Sequence, residues 1–197
     1  VSFFDARGNG TRVTLSVPAR SRRTIDASAI AALNGKAFAT ELESDQAVAL
    51  DRVMWSATGV GPEIQPQLQT AVEKPATRWR LAAASTQEFD VFYLLQNPND
   101  VAADVAVAYE SAAGVQALTK TYHLPAHARL TIAVDREDPA LTATDVSAVV
   151  TSTNTPIVVE QSMYVAYGEK PALALGAMGI DTEESAAARW LPIAQKP

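Results

Sequence analysis

The sequence predicts an all-β protein of two tandem β-sandwich domains, the first incomplete at its N-terminus. Alternation of apolar and polar residues is the dominant period, and β-branched and aromatic residues fill the alternating stretches. Turn signals separate these stretches at intervals of about ten residues, the spacing expected of a sandwich. The chain also repeats itself. Trp79-Arg80-Leu81-Ala82-Ala83 reads against Trp190-Leu191-Pro192-Ile193-Ala194, Val17-Pro18-Ala19-Arg20 against Leu124-Pro125-Ala126-His127, and Asp51-Arg52-Val53-Met54-Trp55 against Glu160-Gln161-Ser162-Met163-Tyr164. The offset grows from 107 at Pro18/Pro125 to 109 at Met54/Met163 and 111 at the tryptophans, so two small insertions separate the copies. Like units in tandem are each one folding module. The expected units are 1–78, an incomplete sandwich; 79–189, a complete one; and 190–197, the start of a third or a C-terminal tail.

In the first unit, Val1-Ser2-Phe3-Phe4 aligns with Val107-Ala108-Tyr109-Glu110 at an offset of 106, so a counterpart of residues 79–106 is missing. Arg20, Arg22 and Arg23 stand at an expected strand entrance, where charge discourages sheet-to-sheet pairing. Asp26 to Leu33 offers a capping aspartate, a run of helix formers and Asn34-Gly35 as a stop, which predicts a helical turn or two. In the second unit, strands are expected at 89–96, 104–110, 117–124, 129–134, 146–152, 157–166 and 172–180. Asn97-Pro98-Asn99-Asp100 reads as a hairpin turn, with proline presetting φ and the Asn and Asp side chains bonding nearby backbone. Val105, Val107 and Tyr109 should share one face, since strand side chains alternate. Ile157-Val158-Val159 is apolar on both faces and suits a central strand. Pro139 should make the counterpart of the first helical turn, 135–144, shorter. The junctions are short, so consecutive units should hold a fixed relation.

Leu95-Gln96-Asn97-Pro98-Asn99, the strand Val105 to Tyr109, Leu124-Pro125-Ala126 followed by Arg129 and Thr131-Ile132, Val158-Val159-Glu160 with Met163-Tyr164, and a closing Trp190 form a combination. It resembles the tandem immunoglobulin-like repeats of secreted and cell-surface proteins of actinobacteria and other bacteria. The resemblance implies two immunoglobulin-like sandwiches, an extracellular or cell-surface setting, a structural or interaction role, and no catalytic residues. The chain departs from the pattern at Gln161, where an arginine commonly follows the acidic position; Arg52 keeps it in the first copy. It has no cysteine, so the disulfide of true immunoglobulin domains is impossible and the likeness concerns architecture alone.

Composition narrows function by exclusion. At 48% hydrophobic and 19% charged residues the chain is globular rather than disordered. A formal net charge of −6 disfavours nucleic-acid or anionic-membrane binding, and the apolar stretches, such as 171–180, are too short to span a bilayer. Without cysteine there are no thiolate metal sites or thiol nucleophiles. His123 and His127 flank Leu124-Pro125-Ala126, a strand end where the rings should diverge rather than share a metal. Asp135, Glu137 and Asp138 are the calcium candidates, set against a charged loop with a helix-start aspartate; calcium needs six to eight oxygens, and Asp26-Ala27-Ser28 at the matching place does not repeat the feature. Gly8-Asn9-Gly10 and Gly59-Val60-Gly61 read as turns, not phosphate loops. Trp79 and Trp190 are expected to seal junctions between units, and Trp55 and Tyr164 to fill one core slot; exposed together, such aromatics would instead make a carbohydrate platform.

These readings lead to a non-catalytic structural or assembly module of a secreted or cell-surface bacterial repeat protein, needing no cofactor. Its expected partners are neighbouring repeats or chains of the same protein, with strand pairing building a filament or lattice. The alternatives are an adhesion module binding a surface glycan or protein, and a virion or decoration protein.

Overall fold

A computed structural model describes residues 1–55, 66–111, 118–167, 170–178 and 180–181. The fold is all-β. In chain order the strands are β1 (Ser2–Phe4), β2 (Gly10–Arg12), β3 (Ala39–Glu41), β4 (Asp51–Trp55), β5 (Pro66–Thr70), β6 (Arg78–Ser85), β7 (Asp90–Gln96), β8 (Ala103–Ser111), β9 (Leu118–Leu124), β10 (Arg129–Ala133), β11 (Asp145–Ser152), β12 (Val158–Tyr167), β13 (Lys170–Met178) and β14 (Ile180–Asp181), with one helical turn, α1 (Val134–Glu137).

Strands β6 to β14 make two antiparallel sheets, ordered β10-β7-β12-β13 and β14-β6-β11-β8-β9. Strict alternation explains why they face each other. Val105, Val107 and Tyr109 of β8 and Val146, Ala148 and Val150 of β11 are buried from one side; Val91, Tyr93 and Leu95 of β7 and Val159 of β12 meet them from the other. Each such aliphatic side chain removed from water contributes about 1.5–3 kcal/mol. The shared face of Val105, Val107 and Tyr109 and the central position of β12, between β7 and β13, match the pattern read from the sequence.

Taking β6 to β12 as A to G, the immunoglobulin plan would place A-B-E-D on one sheet and C-F-G on the other. The central pairs B–E and C–F are present, as β7 beside β10 and β8 beside β11. The outer strands differ: β6 lies beside β11, β12 beside β7, and β9 beside β8. The segment Asn97 to Asp100 is likewise not a hairpin turn, since β7 and β8 belong to different sheets. It is a corner, held by the fully buried Asn97. The Asn97 Nδ2 donates to the carbonyls of Val101, Leu124 and Pro125, at 2.8, 3.3 and 3.0 Å, and its Oδ1 accepts from the amide and side chain of Asn99.

Among the described residues before 78, β1 lies between β2 and β3, and β4 pairs with β5. These pairings recur later at matching register. Phe3 faces Thr11 and Thr40; at offsets of 106, 107 and 108, Tyr109 faces Leu118 and Ala148. Met54 faces Gln67 as Met163 faces Leu175. Left-handed backbone recurs too, at Arg20 and His127 (φ 56° and 49°) and at Gly35 and Ala143 (φ 67° and 52°). The expected helical turns appear as 3-10 segments at Ala27–Ala29 and Ala31–Leu33, where the Asp26 carboxylate accepts from the Ser28 amide. Their counterpart, α1 followed by Pro139–Leu141, is not shorter as expected, because proline sits at the first position of its own turn, where no N–H is needed. Leu33 and Leu141 are the buried anchors of these segments.

No strand follows Arg20, Arg22 and Arg23. Residues 22–25 align with β10, which exists by pairing with β7, and the described residues before 78 offer no strand to play that part.

Candidate functional site

The outward face of the four-stranded sheet carries Arg129 and Thr131 of β10, Phe92 and Leu94 of β7, and Glu160, Ser162 and Tyr164 of β12, the residues alternating with the core set. A solvated face would leave them exposed, yet Glu160 is 8% and Ser162 1% exposed. The cause is the β4–β5 pair, whose β5 lies against β13. From β4, Arg52 reaches Glu160, Nη2 to Oε1 at 2.5 Å, and also donates to Gln69 Oε1 on β5. The Glu160 charge also reaches Arg129; burial holds that guanidinium below the usual value, while the Glu160 charge opposes the shift. A carboxylate mostly withdrawn from water and bound by a guanidinium of a separate strand pair is a clasp. Its Oε1 accepts from Arg52 and from the Ser162 hydroxyl, at 3.4 Å.

A second contact joins the early strands to the sandwich. The Arg129 amide donates to the Asp5 carbonyl at 3.4 Å, and the Phe4 ring stacks on His127 at 5.3 Å. Gly8 sits at φ +78°, and a Cβ there would lie 2.9 Å from the Ala126 carbonyl oxygen, so only glycine fits this turn.

The aromatic candidates divide. Trp79 packs in the sandwich core, 1% exposed, its Nε1 donating to the carbonyls of Ala76 (3.1 Å) and Ile157 (2.9 Å). Tyr164 is not in a core slot: it lies on the outward face, edge-on to Phe92 at 5.7 Å. Trp55 ends β4, with its side chain outside those described, and Trp190 lies outside the described residues. The turn at Gly59 and Gly61 lies outside them as well.

The calcium candidates point to separate tasks. Asp138 caps the 3-10 turn by accepting from the Ala140 amide at 3.0 Å, Glu137 accepts from the Tyr122 hydroxyl at 2.7 Å, and the backbone carbonyl of Asp135 accepts from Thr142. Among the described residues no group of three or more His, Asp or Glu is placed to hold a metal ion. His123 meets Asp104 at 2.9 Å and His127 meets Asp100 at 2.7 Å, two separate pairs.

The Glu137–Tyr122 bond leads inward. Tyr122 and Tyr109 share a 3.0 Å contact between hydroxyls, and Tyr109 stacks on Tyr93 at 5.9 Å. Burial pushes the Tyr109 phenol up to about 12 and raises Tyr93 and Tyr122 as well, so all three stay neutral in ordinary buffers. The hydroxyl chain ends at Tyr109; Tyr93, 0% exposed, meets it through its ring alone.

With this geometry in view, no family model matches the chain, and no curated protein matches it in sequence. A solved structure does. The crystal structure of Thermotoga maritima 1070 superposes with a TM-score of 0.50 at 14% identity, over 56% of this chain and 98% of that one. The likeness is one of fold. The Anabaena sensory rhodopsin transducer is more distant, with a TM-score of 0.39 at 22% identity over 46% of this chain and 99% of that one.

Proposed function

We propose that the chain is a non-catalytic structural and assembly module of a secreted or cell-surface bacterial repeat protein, composed of sandwich units of immunoglobulin-like class in tandem. One observation carries the reading: the strands before residue 78 repeat the pairing register of the later ones, and they dock on the outer face of the sandwich through Arg52 and Glu160. A surface spent on contact between like units serves construction. The described carboxylates and histidines discussed above are engaged in caps, pairs and the tyrosine network. Sedimentation of the purified chain over a concentration series, beside a glycan array, tests the proposal. Association between copies that grows with concentration, without saturable glycan binding, is the expected result. A strictly monomeric chain that saturably binds one class of glycan would overturn it in favour of the adhesion reading.

A further inference from the structure

We propose that Asn34 is a site of spontaneous covalent modification, where water converts the side-chain amide to a carboxylate through a cyclic imide closed by the Gly35 nitrogen.

Asn-Gly occurs twice in the chain, at Asn9-Gly10 and Asn34-Gly35. In such a pair the backbone nitrogen of the second residue attacks the side-chain carbonyl carbon of the first. Glycine, lacking a Cβ, leaves that nitrogen least hindered. The new C–N bond forms as ammonia departs, giving a five-membered imide. Water then opens either imide carbonyl, producing aspartate or an isoaspartate whose main chain runs through the former side chain. Water alone is consumed, and ammonia alone is released. Both pairs share this chemistry, so the fold decides which of them reacts.

Asn9 is held on every side. Its Nδ2 donates to both carboxylate oxygens of Asp5, at 3.3 and 3.1 Å, and its amide donates to Asp5 Oδ1 at 3.0 Å. Its carbonyl accepts from the Asp5 amide at 3.1 Å. The turn carrying these bonds is itself packed, with Gly8 against the Ala126 carbonyl. Closing an imide here would swing the side chain off Asp5 and break the carbonyl's bond.

Asn34 is free to turn. It is exposed at the end of the Ala31–Leu33 segment, and its amide donates to the Ala31 carbonyl at 3.3 Å. One further bond, from the Lys36 amide to the Leu33 carbonyl at 3.1 Å, spans the pair. Among the described residues, neither the Asn34 side chain, nor its carbonyl, nor the Gly35 amide is held by a hydrogen bond. At ψ 128° the Gly35 nitrogen lies away from the side chain, so attack needs rotation about the Asn34 Cα–C bond. Space for it exists, since nothing lies within 4 Å of where a Gly35 Cβ would stand. This openness belongs to the repeat: Thr142 and Ala143 at the matching place are exposed too, with Ala143 left-handed at φ 52°. Threonine has no amide to lose, which confines the chemistry to the earlier copy.

The product alters the turn. Leu33, 7% exposed, directly precedes Asn34 and shares a lining with Phe3 and Phe38. A carboxylate at 34 stands at the carbonyl end of a helical turn, where negative charge is unfavourable. Isoaspartate also lengthens the main chain between Leu33 and Gly35 by one carbon, which displaces the Lys36 amide from the Leu33 carbonyl. Both products loosen the anchor at Leu33.

The test ages the whole chain in mildly alkaline buffer, beside the same series in urea, and follows both by peptide mass spectrometry. Trypsin places Asn9 within residues 8–12 and Asn34 within 24–36. In the folded chain Asn34 should convert several-fold faster than Asn9, through a species lighter by one ammonia; in urea the two rates should converge. Asp5→Ala should speed Asn9 several-fold. Gly35→Ala should slow Asn34 by a similar factor, and Ala143 shows that alanine is accommodated in this left-handed backbone. Far-UV circular dichroism checks that each variant folds. If Asn34 keeps its amide in the folded chain while converting in urea, or if Asn9 converts as fast as Asn34 without urea, the proposal falls.

Discussion

Removing the carboxylate of Glu160 should cost more stability than removing the guanidinium of Arg52. The two side chains are 11% and 36% exposed, so the pair is neither a surface contact nor a fully buried one. Exposed pairs contribute about 0.2–1 kcal/mol. Stripping one partner from a fully buried pair costs about 3–5 kcal/mol. A coupling of about 1–2 kcal/mol between those limits is expected here. The asymmetry comes from Arg129. Glu160→Gln removes the anion that acts on both guanidiniums and leaves their mutual repulsion uncompensated, at a cost of about 2–3 kcal/mol. Arg52→Met keeps an aliphatic stem on the sheet and leaves Glu160 beside Arg129, at about 1 kcal/mol. Urea unfolding of the parent, both single variants and the double variant, followed by circular dichroism, gives the coupling directly. A coupling below about 0.3 kcal/mol would mean that this pair does not hold β4–β5 on the sandwich. A larger loss for Arg52→Met than for Glu160→Gln would refute the ordering argued from burial.

Four other outcomes are expected. Trp79→Ala should cost about 3–5 kcal/mol in urea unfolding, and Trp79→Phe about half that, because the carbonyls of Ala76 and Ile157 keep each other's amides as donors. Asn97→Ala should lower stability by about 2–3 kcal/mol, since three inward carbonyls lose a donor at once; thermal melting measures it. Ala143→Gly should stabilise by about 0.5–1 kcal/mol, because left-handed backbone penalises a Cβ more than glycine adds chain entropy, and chemical denaturation reads the shift. Alkaline pH should unfold the protein. The folded Tyr109 titrates at about 12, above the ordinary value, so the native state keeps a proton that the unfolded chain gives up. Its contribution is intact below pH ~10 and lost as pH rises toward ~12, at up to about 1.4 kcal/mol per pH unit. A Tyr109→Phe variant should show a shallower alkaline slope in a pH series of denaturation curves.

Strands were legible in the sequence wherever one face is buried, because alternation records burial: β7, β8, β11 and β12 fall within two residues of the stretches read from the pattern. Sheet membership was not. Nothing in Asn97-Pro98-Asn99 distinguishes a hairpin from a corner between sheets, since that depends on where the Leu124 and Pro125 carbonyls lie. The same limit applies to Tyr164, which lies on the outward face. Periodicity assigns it to a face, but whether that face meets the opposite sheet or the β4–β5 pair is settled by tertiary packing. The clasp was half visible, in that Arg52 and Glu160 were recognised as occupying neighbouring motif positions, but sequence could not show that they belong to one contact. Residues 22–25 carry a strand pattern and form none, because a pattern does not supply a partner.

The early strands touch the sandwich at two separate places, the clasp at Glu160 and the packed turn where Gly8 and Phe4 meet Ala126 and His127. One contact would leave a pivot; two remove the rotation about it. Torque applied to residues 1–78 must then break polar and van der Waals contacts together instead of swinging a hinge. Under load, the described early strands and the sandwich would move as one body.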